Sequence, residues 1–252
     1  MSRPEAAILA IGDELLSGRT RDANIHHLAG WLTARGVALV EARIVPDQED
    51  AIVAALNTLR QKYDYVFTSG GIGPTHDDIT VAAIAAAFDV DVVEDAGAIA
   101  EMAEWYAARG EKLTPARRRM ARVPDGAKLM RNSVSSAPGV LIGNVFVMAG
   151  VPRIFRAMLE AVGSEIKGGA IIHSRAVTAG GLPESSLADQ LRDIQASYKD
   201  VALGSYPIDG DIKGVTVVAR SNDPSSAEAA IAAVAAAIRS LGVEPVFEDR
   251  KK

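Results

Sequence analysis

No cysteine occurs among the 252 residues of this chain. That absence excludes a disulfide framework, a thiolate zinc site and a cysteine nucleophile, and it sets cytoplasmic residence as the expectation. No apolar run approaches the roughly 18 residues a membrane span requires, so no membrane partner is expected. The N-terminus lacks a basic stretch followed by an apolar run and a small-residue cleavage site, so no secretory signal is expected either. Positive charge is not in excess: 27 Lys and Arg against 32 Asp and Glu leave a net charge of −5. A nucleic-acid polyanion is therefore not expected as the main partner. There is no Gly-x-Ser-x-Gly elbow for a serine nucleophile, and the 4 histidines include no His-x-x-x-His zinc spacing. What is present, 48% hydrophobic and 23% charged residues, is the composition of a globular protein with room for one large or two modest domains.

The most informative segment runs from Ser69 through Gly70-Gly71-Ile72-Gly73-Pro74-Thr75-His76-Asp77-Asp78 to Thr80. It follows Tyr65-Val66-Phe67, which reads as a buried strand. It precedes Val81, Ile84, Ala85 and Phe88, whose spacing marks one face of a helix. A glycine turn between strand and helix can point backbone N–H groups at an anion. Carboxylates beside such a turn would repel a bare phosphate, so a divalent metal is the natural third party. The segment is not a Walker loop, because no Lys-Ser or Lys-Thr follows the glycines, and the third glycine of a dinucleotide fingerprint is missing.

The first half of the chain alternates strand and helix patterns. Strands are predicted at Ala7 to Ile11, Val37 to Val45 and around Tyr65. Helices are predicted around Ile25 to Leu32, Ile52 to Leu59 and Ile79 to Phe88. Such alternation predicts a three-layer α/β fold with a mostly parallel sheet, whose ligand crevice lies beyond the carboxyl ends of the strands. Gly12-Asp13-Glu14, Pro46-Asp47 and Gly70 to Asp78 all follow strands, so three acidic loops are expected on one rim. Further along, a helix is predicted from Asp95 to Arg109, Thr114-Pro115 reads as a helix start, Gly143-Asn144 as a hairpin turn, and a helix follows Pro152. Glycines near Gly163 and Gly168 mark a linker, which predicts domains at 1–166 and 167–252. In the second, strands at Ala170 to Thr178, Val201 to Tyr206 and Val215 to Ala219 accompany helices at Leu187 to Ile194 and Ser226 to Leu241, with a turn at Asp209-Gly210-Asp211.

The segment from Ser69 to Thr80 resembles the glycine–aspartate signature of the molybdopterin-binding domain family, and more narrowly the amino-terminal region of the CinA competence/damage-inducible proteins. The resemblance continues at Ala10 to Gly18, Asp22-Ala23-Asn24, Val45-Pro46-Asp47, Ser136-Ala137-Pro138-Gly139 and Gly150-Val151-Pro152. It implies that Asp78 and Asp47 are active-site acids and that Asn24 contacts a ligand. It also implies a small KH-like α/β second domain, here without a basic Gly-x-x-Gly loop and so not expected to bind RNA, and self-association as a homodimer. Two departures stand out: Ala149 replaces the usual proline before Gly150, and Ile154 replaces a common carboxylate. The carboxyl-terminal nicotinamide mononucleotide deamidase domain of many CinA proteins is not expected in this polypeptide.

On the residues themselves, Asp78 suits either a cation site or the N-cap of the following helix, and Asp47 either an acid role or a turn. Asp13 and Glu14 are candidates for the same cation or for plain loop solvation. Ser69, Thr75 and the backbone of Gly70, Gly71 and Gly73 are candidate phosphate donors. Ser136, Gly139 and Gly150 are candidates for the opposite lip. His76 could serve as an acid, a base or a ligand, and the arginines at 117, 118, 119 and 122 either coat a helix or reach phosphates. The leading expectation is a hydrolase of a nucleotide diphosphate such as ADP-ribose, dependent on magnesium, manganese or cobalt. The alternatives are pterin-nucleotide binding or adenylyl transfer in molybdenum cofactor metabolism, and a non-catalytic nucleotide-binding module.

Overall fold

The computed structural model describes residues 3–208 and 213–248. The chain divides between Gly169 and Ala170 into two compact units. The first begins with β1 (Glu5–Ile11), a single helical turn α1 (Asp13–Leu16), α2 (Asn24–Thr33), β2 (Ala38–Val45), α3 (Glu49–Lys62), β3 (Tyr65–Ser69) and α4 (Thr80–Phe88). After these come β4 (Val92–Glu94), α5 (Ala96–Ala107), α6 (Pro115–Arg118), β5 (Arg122–Pro124), β6 (Lys128–Met130), β7 (Gly139–Ile142), β8 (Val145–Met148) and α7 (Pro152–Ala161).

Six strands form the main sheet in the order β2-β1-β3-β8-β7-β6. The pairs β1–β2, β1–β3 and β3–β8 are parallel, whereas β8–β7 and β7–β6 are antiparallel. Strand periodicity sends neighbouring residues to opposite faces. Ile8 and Phe67 thus join Leu28, Leu32, Phe155 and Leu159 on one side. Leu9 and Val66 join Ile52, Leu56, Leu59 and Ile84 on the other. Helices α2 and α7 therefore cover one face, and α3 and α4 cover the other, which gives the expected three layers. Phe67 and Phe146 stack across β3 and β8 with centroids 4.9 Å apart. Burial on both faces explains why β1 and β3 appear in the sequence as unbroken apolar runs.

Two elements depart from the sequence-based expectation. Asp13 and Glu14 lie in the first turn of α1 and not in an open loop. Strands β4 and β5 pair as a separate two-stranded sheet that no sequence pattern marked, because three residues are too few to display alternation.

The second unit contains β9 (His173–Gly180), α8 (Ala188–Ser197), β10 (Ala202–Ile208), β11 (Gly214–Ser221), α9 (Pro224–Ser240) and β12 (Val246–Phe247). Its strands are antiparallel in the order β10-β11-β9-β12. Val177, Val217, Ile231, Val234 and Ile238 fill its core. Helix α9 starts before the predicted Ser226, since the Asp223 carboxylate accepts from the Ser225 N–H at 3.0 Å and Pro224 occupies the first turn. The predicted turn at Asp209-Gly210-Asp211 lies outside the described residues. Among the described residues, no helix is long and apolar enough to cross a membrane.

Candidate functional site

Because β2, β1, β3 and β8 run parallel and adjacent, the segments leaving their carboxyl ends meet on one rim. These segments carry Asp13 and Glu14, Asp47, the stretch from Gly70 to Asp78, and Gly150. The rim is stitched by short bonds. The Gly12 N–H donates to the Val45 carbonyl at 3.2 Å, and the Asp13 N–H donates to Asp47 Oδ2 at 2.9 Å. Asp47 therefore neither caps α3 nor merely turns the chain; it ties the exit of β2 to the exit of β1.

At the centre the backbones approach too closely for side chains. A Cβ on Gly70 would lie 2.1 Å from the Ile11 carbonyl oxygen, and a Cβ on Gly150 would lie 3.2 Å from the Gly70 Cα. Gly71, at φ +65°, leaves only 2.2 Å between such a Cβ and Thr80 Oγ1. Asn24 locks this crossing from below. It is the first residue of α2 and is buried. Its amide donates to Ser69 Oγ and to the Gly150 carbonyl, both at 2.8 Å. Ser69 is buried as well, so it and Asn24 hold the loops in place.

Asp78 does not cap α4, which begins at Thr80 with no side-chain cap. Its carboxylate folds back into its own loop. Oδ1 accepts from the Gly73 N–H at 2.7 Å, and Oδ2 accepts from the Thr75 N–H at 2.7 Å and from the Thr75 hydroxyl. The donors that the sequence offered to a phosphate at Gly73 and Thr75 are thus taken by Asp78. The Gly70 N–H is likewise taken by the Met148 carbonyl. Asp78→Ala is expected to raise hydrogen exchange at the Gly73 and Thr75 amides and to lower global stability by about 1–2 kcal/mol. Hydrogen–deuterium exchange with a urea titration checks both effects.

Burial, then the negative charges of Asp13, Glu14 and Asp77, pushes the Asp47 carboxyl above the usual carboxylate range, against the downward pull of the Asp13 N–H. A group whose folded value is raised binds more protons in the folded state, so stability falls as pH climbs from 3.8 through that folded value. Asp47→Asn keeps an acceptor for Asp13 and removes the charge. It is expected to melt above wild type near neutral pH, and the gap should close below about pH 3.8. Paired thermal melts across this range check the sign.

Among the described residues, no group of three or more His, Cys, Asp or Glu side chains is placed to hold an ion. Asp78 lines the cleft with both oxygens accepting bonds from its own loop. His76 points into solvent with its side chain 96% exposed, so the structure does not bring it to the cleft.

A cleft of about 340 Å³ opens above the loop. Gly70 to Pro74, Asp78 and Glu14 line one side; Ser135, Ala137, Gly150, Val151, Ile154, Met158 and Met120 line the rest. Ser135 lines it where the sequence pointed to Ser136. Gly139 lies against a small adjoining cavity of about 40 Å³ that Arg119 and Arg122 also line. The methionines and Ser135 carried no sequence signal, whereas Ile154 had one, as the apolar replacement of a family carboxylate.

The family model described as a probable molybdopterin binding domain matches residues 7–168, and the model for the FAD synthase middle domain matches residues 172–246. A protein of Pyrobaculum calidifontis is 34% identical over 240 residues, covering 90% of this chain and 92% of the relative. A CinA-like protein of Gemmatimonas aurantiaca is 34% identical over 92% of this chain and 57% of its own length. One of Desulfosudis oleivorans is covered over 51%, so the chain spans about half the length of the CinA-like relatives it matches. Among solved structures, the protein CinA with unknown function from Thermoplasma acidophilum is 33% identical with a TM-score of 0.59, over 64% of this chain and 97% of that one.

Proposed function

Because the chain belongs to the molybdopterin-binding domain family, with a CinA-like first unit, we propose that this unit binds a small phosphate-bearing nucleotide or pterin nucleotide in the cleft above the glycine–aspartate loop. The observation that carries the reading is the cleft itself. It lies beyond the carboxyl ends of parallel strands, where ligands of such sheets sit. Ile72, Val151, Ile154 and Met158 offer an apolar wall for a flat heterocycle, and Glu14 and Asp78 supply a few fixed polar groups. A mostly apolar pocket with a small number of placed polar groups is the usual make-up of a small-molecule site.

Hydrolysis of a diphosphate such as ADP-ribose is the second reading, and the raised Asp47 carboxyl favours it. The mutual repulsion of Asp13, Glu14, Asp47 and Asp77 is what a divalent cation would relieve. The side chains alone do not form a site for that cation. A magnesium-like ion held by one or two carboxylates would have to arrive with the ligand's phosphates. Self-association as a homodimer belongs to the same proposal and is read by light scattering.

Calorimetric titration of wild type with adenosine, AMP, ADP-ribose, FAD and a pterin monophosphate tests the binding reading. Mass spectrometry of the same mixtures, with and without magnesium, manganese or cobalt, tests turnover. Saturable binding without turnover supports the first reading alone. Metal-dependent AMP release that is lost in Asp47→Asn supports the second. A folded protein that binds none of the panel overturns both.

A further inference from the structure

We infer that Arg119 and Arg122 form an anion subsite at one end of the ligand cleft, which seats the phosphate of the bound molecule; this rests on the nucleotide-binding reading above. The glycine loop is a poor seat for that phosphate. Its donors at Gly70, Gly73 and Thr75 are already engaged, two of them by the Asp78 carboxylate. A phosphate laid there would face Asp78 and Glu14 at short range, with Asp13, Asp47 and Asp77 behind them. Like charges at such distances repel strongly where water is partly excluded.

The opposite end of the cleft lacks Glu14 and adds two arginines, with Asp78 on the line between the two cavities. The adjoining cavity shares Ile72, Gly73, Asp78 and Met120 with the main cleft, so the two abut along that line. Arg119 and Arg122 lie on its wall. The arginine-rich segment divides its work. Arg117 pairs with Glu111 and lies 4.2 Å from the centre of the Tyr106 ring. Arg118 holds Glu94 Oε2 through Nε at 3.1 Å and a second nitrogen at 2.7 Å. Arg119 and Arg122 make no side-chain hydrogen bond or ion pair among the described residues, although Arg122 contributes to the field on Glu94. Their backbone is nonetheless fixed, because the flanking Ala121 and Val123 are buried and β5 pairs with β4. Two exposed guanidinium groups on a held backbone, at the solvent-facing mouth of a small cavity, suit bidentate capture of a phosphate.

The ligand therefore binds with its ring against Ile154 and Met158 and its phosphate toward Arg119 and Arg122, away from Asp13, Glu14 and Asp47. Titrating wild type, Arg119→Ala/Arg122→Ala and Arg117→Ala/Arg118→Ala with adenosine, AMP and ADP-ribose tests this. The first double variant is expected to weaken AMP and ADP-ribose about tenfold or more and to leave adenosine within about twofold. Arg119→Lys/Arg122→Lys should recover part of the loss, since charge is kept and the fork is not. The Arg117/Arg118 variant should match wild type. Unchanged ADP-ribose affinity in the first variant, with wild type binding normally, overturns the subsite and leaves the cleft reading standing. Failure of wild type to bind adenosine, AMP and ADP-ribose overturns the cleft reading and the subsite with it.

Discussion

Gly70→Ala is expected to lower the unfolding free energy by about 3–5 kcal/mol and to abolish ligand binding. Two effects combine at this position. The backbone is held at φ +116°, a region that side-chain-bearing residues rarely occupy. The added methyl would also lie 2.1 Å from the Ile11 carbonyl oxygen. That oxygen belongs to the last residue of β1, which is paired on both sides, so the clash cannot be relieved by rotating a side chain. Gly126→Ala separates the two effects. Its φ is +75° and nothing lies within 4 Å of the would-be methyl, so only backbone strain applies, about 1–2 kcal/mol. Urea titration of both variants checks the contrast: the Gly70 midpoint should drop well below that of Gly126. Equal midpoints would contradict the close packing of β1, β3 and β8 on which the cleft depends.

Asn24→Ala is expected to cost on the order of 2–3 kcal/mol and to loosen one lip of the cleft. The Asn24 amide bridges Ser69, the last residue of β3, and Gly150, two residues past the end of β8. Its removal leaves the Gly150 carbonyl and the buried Ser69 hydroxyl without this donor, and at Ser69 an unmade bond costs more than a made one contributes. Asn24→Asp preserves the shape and turns the donor into an acceptor facing the Gly150 carbonyl, so it should be no better than alanine. Hydrogen exchange at the Gly70 amide, which donates to the Met148 carbonyl beside this bridge, together with a urea titration, reads both effects. Wild-type exchange and stability in Asn24→Ala would show that the bridge does not hold the lip.

Much of the fold was legible because its chemistry is local or periodic. Buried parallel strands leave apolar runs such as Ala6 to Ile11, and the turns that follow them need glycine for reasons visible at Gly70 and Gly71. The rim followed from those two facts, since loops after parallel neighbours must emerge together. What escaped the sequence depends on contacts between distant segments. Asp78 before a helix reads as a cap, yet the loop curls so that Gly73 and Thr75 reach its carboxylate first. Asn24 gave no sign of burial, because its partners Ser69 and Gly150 come from elsewhere in the chain. Met120 and Met158 are unremarkable in sequence and come to one cleft only through the fold. The short β4–β5 pair, which fixes the position of Arg122, carries too few residues for a pattern.

A crystal structure of the chain soaked with ADP-ribose tests the central claim most directly. The expected result is the ligand in the cleft above Gly70 to Asp78, its ring against Ile154 and Met158. Density for the ligand at the second unit alone, with the cleft holding only solvent at saturating ligand, would contradict it.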